Sequence, residues 1–189
     1  MYTSGTAGSP RPAVLTHGNL LSNIEQVLAV REVQKVDGDV SLCVLPLFHI
    51  MGLNAILGVS LRSGSAVLLM ERFDPQSAAE AVRDHRVTVI AGAPTMWGAW
   101  ASLPGLADDT FAAVRMATSG AAPLATDVVE RMRDRFGVEL VEGYGLTEAS
   151  PVVTSGIGLP NRSGSIGAPL DGVEVRLVDG EGDDVLVGD

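Results

Sequence analysis

The 189-residue chain has one cysteine, Cys43, so no disulfide can form within it. Its apolar surround, VSLCVLPL, makes that residue a small buried hydrophobe. A signal-peptide pattern is also missing, and the expectation is a reducing, cytoplasmic compartment. Tracts of Gln/Asn, Ser/Gly or Pro are absent. With 46% hydrophobic and 19% charged residues, the composition is that of a folded globular chain rather than a disordered one. Positive charge is scarce: 13 Lys and Arg against 23 Asp and Glu leave a formal net charge of −10, which repels a polyanion and argues against nucleic acid as a partner. The deficit leaves ATP open, because a phosphate site is built locally from backbone N–H groups and a metal ion.

Residues 40–61 lack Asp, Glu, Lys and Arg altogether, and a spanning helix needs roughly 20 apolar residues. Pro46, His49, Gly52, Asn54 and Gly58 interrupt that run. It reads as a buried strand followed by a separate helix, with no transmembrane segment and peripheral membrane contact left open.

The length suits one domain with a hydrophobic core. Short aliphatic runs alternate with amphipathic stretches of helical period, which predicts an α/β fold: a mainly parallel sheet of five or more strands with flanking helices. The predicted strands are 40–45, 65–70, 87–91, 114–118 and 138–142. Thr16 is the expected N-cap of a helix over 17–34. Asp74-Pro75 opens a second helix reaching 86, PTMWGAW (94–100) lies on a third, and Pro123 opens a fourth that ends at Gly137. After Glu148 the Gly-, Pro- and Ser-rich stretch reads as a loop. Segments 173–178 and 185–187, joined by DGEGDD, suggest a hairpin of a β-rich subdomain. The expected division is 1–155 for the α/β part and 156–189 for the linker and the start of that subdomain.

Two blocks carry chemistry. Near the N-terminus, YTSGTAGSPR gathers Thr3, Ser4, Thr6, Gly5 and Gly8 before the cationic Arg11. Glycine lets the backbone approach a phosphate, hydroxyls donate to its oxygens, and the cation balances charge. Neither G-x-x-x-x-G-K-[ST] nor G-x-G-x-x-G spacing is present. The second block, EGYGLTEASP (142–151), follows a predicted strand and so falls at the carboxyl edge of the sheet, where ligands bind in open α/β folds. Gly143 and Gly145 allow a tight turn, Tyr144 offers a flat ring, Thr147 a hydroxyl and Glu148 a hard oxygen ligand for Mg²⁺. His17 and His85 have no Cys, Asp or Glu at metal-ligand spacing.

Together with PLFHIMGL (46–53), SGAAPL (119–124) and GSIGAPLDGVEVRLVD (164–179), these blocks resemble, in order, the adenylate-forming superfamily of acyl- and aryl-CoA ligases, luciferases and peptide-synthetase adenylation domains. The resemblance covers nearly the whole chain. It implies that Thr3, Ser4, Gly5, Thr6, Gly8 and Arg11 hold the outer phosphates of ATP. Gly120, Ala121, Ala122 and Pro123 would flank the adenine, and Tyr144, between Gly143 and Gly145, would stack on it. Thr147 would reach the α-phosphate, Glu148 would bind Mg²⁺, and His49 would lie near the carboxylate and acyl group. The implied reaction needs no protein nucleophile: a carboxylate attacks the α-phosphorus, pyrophosphate leaves, and the thiol of coenzyme A captures the acyl-adenylate.

LFHIMG lacks the aspartate with which a peptide-synthetase domain would hold an amino group, so a fatty or other simple acid is expected, with Met96, Trp97 and Trp100 available to line an acyl tunnel, although helix-spaced aromatics more often pack a core. Ala7, Arg11 and Pro12 depart from the family's usual residues. The resemblance also implies that the preceding subdomain, the ribose-gripping Y-x-T-G-D motif and the C-terminal lid lie outside these residues. The expectation is then a chain that binds nucleotide at most when alone, with self-association through uncovered surfaces. A non-catalytic interaction module derived from such a ligase is the alternative.

Overall fold

The computed structural model describes residues 1–3, 11–34 and 36–185. Strand β1 (Tyr2–Thr3) pairs antiparallel with β2 (Arg11–Pro12). Ser4, Gly5, Thr6 and Gly8 lie outside the described residues.

Helix α1 (His17–Ala29) starts at Thr16, whose hydroxyl accepts from the Asn19 N–H at 3.1 Å while the Asn19 side chain accepts from the Thr16 N–H at 3.0 Å. This reciprocal cap satisfies two of the orphan donors at a helix start. The helix stops short of the predicted residue 34. Val30 is extended, Arg31–Val33 form a single tight turn, and the Arg115 guanidinium takes the Glu32 and Gln34 carbonyls at 3.1 and 3.3 Å. The break lies at Val30, whose extended backbone leaves the helical ladder and whose N–H turns back to the Val27 carbonyl.

Strand β3 (Val40–Cys43) leads into a wide helix of i→i+5 type (Met51–Gly58), continued by the short α2 (Val59–Ser63). Then come β4 (Ala66–Leu69), α3 (Pro75–Asp84), β5 (Val89–Gly92), α4 (Pro94–Ser102), β6 (Met116–Ser119), α5 (Thr126–Phe136) and β7 (Leu140–Gly145). Asp74 caps α3 through the Ser77 N–H at 2.9 Å, and Gly137, at φ +66°, closes α5 in the left-handed conformation. Helix α5 begins at Thr126 rather than Pro123: Ala125 is extended, and the Leu124 N–H before it goes to the Glu142 carboxylate at 3.1 Å.

The sheet runs β4-β3-β5-β6-β7-β8-β9, where β8 is Val152–Ser155 and β9 is Ala168–Pro169. The first five strands are parallel, and β8 and β9 add antiparallel. The stretch expected as loop after Glu148 therefore contributes two strands. The hairpin expected in the tail is a single Val178–Asp184 bridge around a turn in which the Asp179 carboxylate accepts from the N–H groups of Glu181 and Asp183. Residues 186 and 187 lie outside the described residues.

Alternation along the strands sorts the two faces. Leu42, Ile90, Ala117 and Leu140 join α3, α4 and α5 in the main core. There Phe73, Trp97, Trp100, Phe111 and Phe136 form an edge-to-face chain with ring centroids 5.1 to 5.4 Å apart. Ser41, Val89, Ala91, Met116 and Thr118 instead face α1, the wide helix and α2 across a cavity. Cys43 is buried, as its surround predicts, and desolvation raises its thiol pKa.

Candidate functional site

The cavity has a volume of about 870 Å³ and runs along the second sheet face, from the carboxyl edge of β6 and β7 toward the amino edge of β3 and β6. Among its lining residues at the carboxyl edge are Thr3, Arg11, His49, Gly120, Ala121, Gly143, Tyr144, Gly145, Thr147 and Glu148. Residues scattered over the sequence thus share one space. Ala122 and Pro123 continue the exposed loop from Ala121 without lining it.

At its N-terminal border, the Thr3 hydroxyl donates to the Arg11 carbonyl at 3.4 Å across the β1–β2 pair. His49 is exposed, beside Phe48 at 85% exposure, and its Nδ1 accepts the Met51 N–H at 3.2 Å, which fixes the ring at the mouth of the wide helix.

The β7–β8 connection carries Tyr144, Thr147 and Glu148. Strand β7 bulges at Tyr144/Gly145, and Thr147–Ala149 make one tight turn. Ser150 then takes φ +73°, and Val152–Ser155 return along β7. Glycine is required here: a Cβ on Gly143 would come 2.9 Å from the Thr154 carbonyl oxygen, and one on Gly145 would strike the Pro151 carbonyl oxygen. The Leu146 N–H closes the turn onto the Pro151 carbonyl at 3.0 Å. Tyr144 stands 49% exposed, its ring free to meet a flat ligand.

The opposite end of the cavity is closed by an ion pair. Arg115 meets Asp39 through two hydrogen bonds of 2.8 and 2.5 Å, and Asp39 also accepts from the Val36 N–H and the Thr88 hydroxyl. The Arg115 hydrogen bond is the main cause that lowers the Asp39 pKa to about 2. Between the two ends the walls are Val27, Val30, Ala55, Ile56, Val59, Val89, Ala91 and Met116, with Ser41 and Ser60 interspersed.

Met96 and Trp97 are not brought to this cavity. Both lie buried in the core on the other sheet face, and the Trp97 indole N–H donates to the Thr118 carbonyl at 3.2 Å. Trp100, likewise buried, donates to the Pro75 carbonyl at 2.9 Å. Helix-spaced aromatics here serve packing.

Two residues that sequence reasoning passed over are buried asparagines. The Asn23 side chain donates to the Val152 carbonyl at 2.7 Å and accepts its N–H at 3.0 Å, and Asn54 donates to the Ser150 and Leu20 carbonyls at 2.8 and 3.0 Å. The available signal was an amide inside an apolar helical face.

Among the described residues no three His, Cys, Asp or Glu side chains cluster as a metal site. One carboxylate, Glu148, beside one hydroxyl, Thr147, suits a Mg²⁺ ion that arrives with nucleotide phosphates and keeps its waters, not a resident metal in an all-protein cage.

The chain is 38% identical over 193 residues to 4-coumarate–CoA ligase 3 of Arabidopsis thaliana, covering 94% of this chain and 33% of that protein. It is 34% identical over 177 residues to a long-chain-fatty-acid–CoA ligase of Bacillus subtilis, covering 93% and 32%. It superposes on the ATP-bound structure of MatB from Rhodopseudomonas palustris with a TM-score of 0.90 at 31% identity, covering all of this chain and 37% of that one. The chain thus spans about a third of the length of these relatives. The sequence pattern of the AMP-binding enzyme family matches residues 1–189, and this chain belongs to that family.

Proposed function

We propose that the protein binds Mg-ATP at the carboxyl edge of its sheet and that the complete enzyme uses this site to join a carboxylic acid to coenzyme A through an acyl-adenylate. The observation that carries the reading is the convergence of Thr3, Arg11, His49, Gly120, Tyr144, Thr147 and Glu148 on one cavity. In this reading Ser4, Gly5, Thr6 and Gly8, with Thr3 and Arg11, hold the outer phosphates. Gly120, Ala121, Ala122 and Pro123 border the adenine, and Tyr144 stacks on it. Thr147 donates to the α-phosphate and the Glu148 carboxylate is the metal ligand. Mg²⁺, when bound, supplies charge neutralisation on the phosphates. The protein's own share is placement: a substrate carboxylate held near His49 faces the α-phosphorus in line, with pyrophosphate leaving toward Thr3 and Arg11.

The acid in this proposal is one with an apolar tail, a fatty acid above others. Met51, Ala55, Ile56 and Val59 on the helical wall and Val89, Ala91 and Met116 on the sheet wall outnumber the interspersed hydroxyls of Ser41, Ser60, Ser63 and Thr118, and none of these residues carries a charge. The ion pair at the far end has its hydrogen-bonding groups engaged by Val36, Thr88, Glu32 and Gln34, so it ends the channel rather than recruiting a polar tail.

The test is displacement of a fluorescent fatty-acid probe in the presence of Mg-ATP, with pyrophosphate release followed in parallel. The expected order is saturated fatty acids first, hydroxycinnamic acids weaker and amino acids last. Preference for an amino acid would overturn the assignment of the acid, and no Mg-ATP binding at all would return the interaction-module reading.

A further inference from the structure

We infer that Asn23 and Asn54 are positioning residues that hold the Thr147–Glu148 turn in register with the two helices flanking the cavity; this rests on the nucleotide-binding reading above. A turn bearing a metal ligand has to be stiff and fixed in place; the backbone bonds of this one, from Leu146 N–H to Pro151, Ala149 N–H to Leu146 and Ser150 N–H to Thr147, close it on itself but do not tie it to the helices flanking the cavity. Thr147, Glu148 and Ala149 make one tight turn, Glu148 is exposed, and the following Ser150 sits at φ +73°, a conformation that costs a residue with a Cβ about 1–2 kcal/mol. Something outside the turn has to hold it.

The two amides do so from different elements. Asn23, on α1 and nearly fully buried, meets both the N–H and the carbonyl of Val152, pairing with the backbone as a neighbouring strand would. Asn54, on the wide helix five residues after His49 and equally buried, spends both N–H bonds on carbonyls. One is Ser150, the strained residue, and the other is Leu20 of α1. The turn, the helix that follows His49 and the helix that begins near the phosphate segment are therefore joined through two side chains. Buried amide hydrogen bonds are stringent, since an unmade one leaves a desolvated polar group at about 1–3 kcal/mol. Residues behind a metal ligand typically change metal affinity by about 10–100-fold.

The experiment compares the 189-residue wild-type chain with Asn23→Ala, Asn54→Ala and the apolar near-isostere Asn54→Leu. Glu25→Ala serves as the control, because Glu25 ties α1 to Arg62 of α2 at 2.6 Å and bonds neither asparagine nor the turn. Two readouts are taken: hydrogen exchange by peptide, and ATP affinity with and without Mg²⁺. The expected result for the asparagine variants is faster exchange confined to peptides over 146–152, with α4 and α5 protected as before, and Mg-ATP affinity about tenfold weaker while metal-free ATP binding is unchanged. Glu25→Ala should match wild type in both. Unchanged exchange over 146–152, exchange that rises throughout the chain, or a local opening that leaves the Mg²⁺ dependence intact would each overturn the inference. Should wild type itself bind no Mg-ATP, the proposed function fails, and the exchange comparison alone decides whether the amides hold the turn.

Discussion

Asp39 shows how much a single side chain ties down. Its carboxylate joins the start of β3 to β6 through Arg115, to Thr88 before β5 and to the Val36 N–H, and it is almost wholly buried. Its pKa falls from an ordinary 3.8 to about 2, which corresponds to roughly 2 kcal/mol of stability. The sign follows from the direction: a depressed folded-state pKa gives stabilisation that is full above about pH 4 and lost as the pH falls through about 2. Denaturant unfolding of wild type between pH 5 and 2 should show that loss, and Asp39→Asn should be less stable at pH 7 by at least as much, with a flatter acid limb. Arg115 and Asp39 stand 76 positions apart, so no spacing rule reaches them, and the pair was illegible before the strands were placed. Thr16, Gly137 and Cys43 were legible because a cap, a left-handed glycine and an apolar surround are local facts. Gly145→Ala is a second residue-scale test. Its Cβ would strike the Pro151 carbonyl, so the turn must shift, and the expected outcome is loss of Mg-dependent nucleotide binding with the melting of the core little changed.

Among the elements, the parallel strands and their crossover helices were readable from aliphatic runs and helical period, because each lies in sequence between its own turn signals. The misreadings have a common physical source in contacts made from far away. Helix α1 ends at Ala29 because Val30 is extended, ahead of a segment whose Glu32 and Gln34 carbonyls the distant Arg115 holds, and α5 starts at Thr126 because Ala125 is extended, next to the Leu124 N–H that the Glu142 carboxylate accepts. Strand β8 carries a β-branched signal in Val152, Val153 and Thr154, but glycines and prolines on both sides outweighed it. Helix α4 has tryptophans whose spacing suits either a ligand-facing stripe or a core, and they form the core. Trp100→Ala is expected to cost about 3–5 kcal/mol, removing edge-to-face contacts to Phe73, Trp97 and Phe111 and the indole bond to the Pro75 carbonyl. Urea unfolding checks the magnitude.

Over the whole molecule, the sheet divides two tasks. One face is filled by aromatic and aliphatic side chains, and the other borders the cavity. Which face did which was not readable from sequence, since β3, β5 and β6 carry apolar residues on both sides. Filling the cavity from the helical wall separates its two ends. Ala55→Phe should weaken binding of acids with apolar tails by about tenfold or more, since adding bulk to a packed space costs about 1–3 kcal/mol. Mg-ATP binding at the carboxyl edge should persist, and competition with the fluorescent probe reads both. A net charge of −10 adds a global constraint: a nucleotide approaches an acidic molecule, so the local donors and the metal have to outweigh the general repulsion. The most direct measurement is calorimetric titration of the chain with ATP in the presence and absence of Mg²⁺, wild type beside Glu148→Gln. The account predicts saturable binding that Mg²⁺ strengthens in wild type and that loses its Mg²⁺ dependence in Glu148→Gln; equal Mg²⁺ dependence in the two proteins would contradict it.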